Sequence, residues 1–194
     1  MLIKNITYIQ TIMKNLRDLA LLLVMALVAI TASAQEASQQ LIKNGDFELN
    51  PKVERGTSAT TGWDARKPVV VTHVDPISDD NPHYAVICCD TIYNEGIDGM
   101  DIQDGTKYDL SIALRNIPAV KPESRTKGNK LVIVQLINQA GKPIAEATIR
   151  VKGYGWQQFN MPITASSSCS KARLAIVGIG CQKVAIDNVS LLKH

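Results

Sequence analysis

From residue 107 the chain alternates, with Tyr108, Leu110, Ile112 and Leu114 on one parity and Asp109, Ser111, Ala113 and Arg115 on the other. A period of two puts each set on its own side of an extended backbone, which predicts a half-buried strand over 107–116. Residues 143–151, PIAEATIRV, alternate again after the turn signal NQAGKP. Residues 130–138, KLVIVQLIN, are almost unbroken apolar and β-branched, which predicts a central strand covered on both faces. Further strands are expected at 68–74, 83–90, 156–163, 172–178 and 183–192, separated by Gly- or Ser-rich turns. Helical periodicity is almost absent, and strands recur with turn signals between them. That spacing points to an all-β sandwich of antiparallel strands rather than a βαβ fold. The stretch 117–129, rich in Pro and charge, reads as one long exposed loop.

The last strand breaks its own pattern. Val184 and Ile186 are apolar on one parity, Val189 and Leu191 on the other, and the phase slips at Asp187-Asn188. One extra residue inside a strand is a β-bulge, and bulges re-aim side chains. Here the re-aimed group is a carboxylate, unless Asp187 is simply exposed on an edge.

The beginning of the chain follows different rules. Residues 19–30, LALLLVMALVAI, are apolar, preceded by Lys14 and Arg17 and followed by Ala32-Ser33-Ala34. This is the grammar of a signal peptide over 1–34, with cleavage near Ala34 and a secreted or periplasmic product. The apolar run is short for a membrane span. Residues 35–40 read as a flexible leader and 41–194 as one domain. Charge adds little: the whole chain carries +3, and removing 1–34 takes away three cations and one anion. There is no basic stripe for nucleic acid. Cys88, Cys89, Cys169 and Cys181 lack the paired C-x-x-C spacing of a zinc site. One bridge joins the Cys88-Cys89 region to the region of Cys169 and Cys181, or all four remain small idle thiols. No H-E-x-x-H, G-x-S-x-G or phosphate-loop pattern occurs, so no catalytic motif is visible.

Three stretches carry a family resemblance. LIKNGDFELN followed by Gly62-Trp63 at the start, and VAIDNVSLL at the end, resemble the CenC-like carbohydrate-binding modules. Between them YNEGIDGMDIQDGTKYDLSIALRN (93–116) is similar to the N-terminal module of bacterial α-L-arabinofuranosidases. Tyr93 and Ile97 depart from that pattern, where larger aromatics are common, and the sequence stops at His194. The resemblance implies a galactose-binding-like jelly roll in which the first and last strands run together. It also implies a structural calcium site in which Glu48 and Asp187 supply carboxylates, helped more weakly by Asp46 and Asn188. A hard cation takes such oxygen donors. In the alternative Glu48 caps a turn or pairs with Lys183.

Sugar recognition needs a ring for the C–H face and donor–acceptor groups for the hydroxyls. Phe47, Trp63, Tyr108, Trp156 and Phe159 are expected in the core or in strand packing. Tyr93 beside Asn94, Glu95 and Asp98 is then the best platform, with Arg115 reaching the same region from its strand. The alternative for 94–99 is a turn whose polar groups satisfy its own backbone. Three functions stay open: a non-catalytic module for arabinose- or xylose-containing plant polysaccharide, an accessory domain that packs on a glycoside hydrolase catalytic domain, and a small jelly-roll glycosidase or lyase.

Overall fold

The computed structural model describes residues 38–49, 61–65, 70–97, 99–118, 130–180 and 183–193. The expected signal peptide, Asp98, Cys181 and most of the expected loop 117–129 lie outside them. Two antiparallel sheets pack face to face. In the first, β10 (Gln157–Thr164), β7 (Lys107–Asn116), β12 (Lys183–Lys193), β4 (Tyr84–Cys88) and β3 (Val70–Thr72) lie side by side in that order, and β1 (Gln39–Gln40) pairs with the far end of β12. In the second the order is β2 (Trp63–Ala65), β5 (Thr91–Asn94), β11 (Cys169–Ile179), β8 (Lys130–Ile137) and β9 (Pro143–Val151), with β6 (Met100–Ile102) beside β11. Sequence neighbours are mostly not sheet neighbours, which makes the sandwich a jelly roll.

The alternation in β7 works as its pattern predicts. Tyr108, Leu110, Ile112 and Leu114 are buried between the sheets, against Val132, Val134 and Leu136 of β8 and Leu174 and Ile176 of β11. Each buried side chain of this size contributes roughly 1.5–3 kcal/mol through water exclusion. The other parity of β7 forms the outer face of the first sheet. Strand β8 departs from expectation. Its inward residues are fully buried, but Leu131, Ile133 and Gln135 on the outer side are only half-buried. An apolar run does not by itself report cover on both faces. Here the outer residues are shielded sideways by their neighbours in β9 and β11 rather than by a further layer.

The slip in β12 is a bulge. Asp187 stands opposite Ala113, while Ser190 stands opposite Ser111, so β12 spends one more residue than β7. Asn188 takes up the difference with φ +47, a left-handed value that Asn tolerates better than most residues. The extra residue lets Val184, Ile186, Val189 and Leu191 all face the core. The stretch expected as a leader also differs in part: Gln39–Gln40 pair with Leu192 and Lys193, and the Gln40 side chain bonds Ser190 and the Leu191 N–H.

Candidate functional site

The segment after β1 crosses the edge of β12 at the bulge. Leu41 N–H donates to Leu191 O, and Val189 N–H donates to Gly45 O. Phe47, with φ +58, turns inward and stacks on Trp63 at 4.9 Å, both buried in the core. Trp63 Nε1 donates to Asn44 O at 2.6 Å. The opening motif is therefore a plug and turn that places Glu48 beside the bulge.

Glu48 does not meet Lys183. Its Oε1 accepts the His83 N–H at 2.6 Å and its Oε2 lies 2.7 Å from His83 Nδ1. Asp187 is fully buried; its Oδ2 accepts from Asn81 Nδ2 at 3.1 Å and its Oδ1 from the Asn188 N–H at 2.7 Å. Burial pushes the Asp187 carboxyl from 3.8 up to about 7, and the nearby charges of Asp46 and Glu48 push the same way. Asn81 Oδ1 is buried at the same corner with no hydrogen-bond partner. Sequence reasoning missed Asn81 because nothing in its own segment marks it.

The expected sugar platform does not assemble. Asn94 is fully buried, and its amide is consumed locally: Oδ1 accepts from Lys43 N–H and Gly96 N–H, and Nδ2 donates to Lys43 O. It positions the chain rather than a ligand. Tyr93 lies on β5, in the second sheet, with the Arg173 guanidinium 4.7 Å from its ring centre. Glu95 is exposed beyond it, and Asp98 lies outside the described residues. Arg115 is on β7, in the other sheet. Tyr93 and Arg115 therefore face away from each other across the sandwich. Residues 91–94 pair with β11 and β2 as a strand, which fixes Tyr93 on the opposite outer face.

Arg115 has different companions. Its guanidinium stands 5.2 Å from the Tyr84 ring centre and 5.1 Å from that of Trp156, and the two rings meet edge to face at 5.3 Å. It donates to Asp75, to Val74 O at 3.2 Å and to the Tyr84 hydroxyl at 2.8 Å, while Tyr84 OH donates to Val74 O. Two donors here are buried without an acceptor, Arg115 Nε and Trp156 Nε1. Trp156 is half-buried on the outer face rather than in the core, since Gln157 opposes Leu114 and the residue before it falls beside Arg115.

Two clefts open on this outer face. One, of about 390 Å³, is lined by residues that include Tyr84, Arg115, Asp75 and Lys183. The other, of about 540 Å³, is lined by Asp109, Ser111, Asn160 and Ser190 among others. Both flank β7 and β12, with the small buried residues Ala113 and Ala185 between them. From Asp109 to Arg115 the face runs about 20 Å at the ~3.4 Å rise of an antiparallel strand. The arrangement offers rings at one end and hydroxyl and amide groups at the other.

No family model and no curated protein matches the sequence. Solved structures do. An arabinose-bound GH51 α-L-arabinofuranosidase superposes with a TM-score of 0.63 at 20% identity, over 79% of this chain and 26% of that one. The tandem CBM22-1–CBM22-2 domain of Paenibacillus barcinonensis Xyn10C gives 0.52 at 13% identity, over 83% and 47%. The xylan-binding CBM22-1 domain of the same protein gives 0.50 at 14%, over 82% and 97%. This chain thus spans about a quarter of the arabinofuranosidase. At such identities the likeness establishes the jelly-roll sandwich.

Proposed function

We propose that the protein is a secreted, non-catalytic carbohydrate-binding module, and that its binding surface is the outer face of the sheet β10-β7-β12-β4-β3. The observation that carries this reading is the half-exposed Trp156 ring set against Tyr84 and Arg115, beside the cleft that Tyr84 and Arg115 line. Rings supply the apolar surface that C–H faces need. The solved structures it is similar to include a domain named as xylan-binding and an arabinose-bound arabinofuranosidase, which supports arabinose- or xylose-containing plant polysaccharide as the ligand class. In a pull-down with insoluble arabinoxylan the protein should be retained and Trp156→Ala should not. Absence of wild-type binding to any polysaccharide on a glycan array would leave the accessory-domain reading in its place.

A catalytic reading meets a geometric obstacle. Asp187 has the raised pKa of a general acid, but it is fully buried and caged by Asn81 and Asn188, so no glycosidic oxygen reaches it.

We also propose a structural calcium ion at the bulge. The residues fit such an ion on two counts: Asn81 Oδ1 is a buried acceptor with nothing to accept, and Asp187 is a buried carboxylate with other acids nearby. Among the described residues no three His, Cys, Asp or Glu side chains converge as a metal cluster. The set would therefore mix Asp187 and Glu48 with amide oxygens of Asn81 and Asn188, as calcium accepts. Glu48 would contribute through lone pairs not engaged by His83. The ion would neutralise this corner and hold the opening segment on β12.

A further inference from the structure

The cleft at the Arg115 end carries more chemistry than a neutral sugar requires. Arg115 is a buried cation, its side chain 9% exposed, whereas the Asp75 side chain that balances it is 78% exposed. A buried charge needs a partner, and removal of the partner is what makes it costly. Here the partner comes from solvent. Asp75 stands in the connection between β3 and β4 with φ +58, and reaches Arg115 through one oxygen on one terminal nitrogen. Arg115 Nε remains without an acceptor. Lys183, exposed at the start of β12, lines the same cleft. Two cations and one solvent-facing carboxylate thus share one opening of about 390 Å³.

We infer that this cleft is a subsite for a carboxylate-bearing sugar, a uronic acid residue on the polysaccharide, and that Asp75 occupies the place of its carboxylate when no ligand is bound. The inference rests on the reading of this face as the binding surface. An incoming carboxylate takes over the Arg115 charge that Asp75 now holds. It also lies within the field of Lys183, which lines the same cleft. Arginine forks match carboxylates through paired N–H groups, which a monodentate resident acid leaves partly unused. The exchange asks for little further desolvation of Arg115, because its side chain is already only 9% exposed beside the Tyr84 and Trp156 rings. A carboxylate is favoured over other anions because the acceptor already seated on Arg115 is one.

The test compares two probes, an unsubstituted xylo-oligosaccharide and the same backbone carrying a glucuronic acid side group, by calorimetric titration at low and high salt. The wild-type protein should bind the acidic probe several-fold tighter, and salt should erode that preference, since it screens charge and leaves neutral contacts alone. Asp75→Asn removes the resident competitor, and a thermal melt first establishes that the variant is folded. The substitution should widen the preference for the acidic probe over the neutral one by about tenfold. Lys183→Gln should narrow the preference. Equal affinity for the two probes, or an unchanged preference in Asp75→Asn, overturns the subsite while leaving the binding face intact. Binding of neither probe by wild type or Asp75→Asn overturns both.

Discussion

Asp187 is an acid held at about 7 in the fold, against roughly 3.9 in an unfolded chain. The folded state therefore binds its proton more tightly. Between about pH 4 and pH 7 the native protein holds more protons than the unfolded one, so this residue's contribution makes stability fall as pH rises through that window. Below the window there is no penalty, and above it the penalty is complete. In chelator, thermal melts of wild type should lose more stability between pH 4 and 7 than those of Asp187→Asn. Parallel slopes would remove this account of Asp187. Added calcium favours the ionised form, so its stabilisation should grow towards pH 7 and be small at pH 4. Two aromatic residues divide on the same scale. Phe47 is buried without exposure, and Phe47→Ala should cost about 3–5 kcal/mol in denaturant titration. Trp156 is half-buried on a face, so Trp156→Ala should cost about 1–2 kcal/mol, a surface-ring loss rather than a core cavity. The sequence alone had placed Trp156 with the core. Its parity becomes meaningful only once β10 is known to pair with β7 in the register that brings it beside Arg115.

At the scale of elements, the long alternating strands were legible because each carries enough residues to define a phase. Strand β9 spans the expected residues, and the bulge in β12 was visible as a change of apolar parity. The short strands β1, β5 and β6 were not, since two to four residues carry no period and their pairing is set by long-range partners. The same limit dispersed the expected site. Asn94 and Arg115 look alike as polar residues near turns, yet one satisfies Lys43 and Gly96 while the other lies under two rings on the far sheet. The meeting of the opening segment with the bulge was legible through the resemblance, whereas Asn81 as its buried acceptor was not. Gly45 tests how tightly that meeting is built. A Cβ there would lie 1.8 Å from Val189 O, which is backbone and cannot step aside. Gly45→Ala should therefore lower the melting temperature by several degrees and weaken the response to calcium, as read by melts with and without chelator. A melt indistinguishable from wild type would mean that the opening segment is not seated on β12.

For the molecule as a whole, the sandwich presents two outer faces of different character. The second sheet shows half-buried aliphatic residues and a Tyr93 ring under Arg173. The first sheet shows two clefts, with rings, a buried cation and unpaired donors at the end of one of them. A polysaccharide that uses the first face should be blind to changes on the second. The direct measurement is the affinity of a soluble arabinoxylan for wild type, Trp156→Ala and Tyr93→Ala, each first shown to be folded. The account predicts that Trp156→Ala weakens binding at least tenfold, about 1.4 kcal/mol, while Tyr93→Ala binds as wild type does. Binding that survives Trp156→Ala and is lost in Tyr93→Ala would place recognition on the opposite sheet and contradict it.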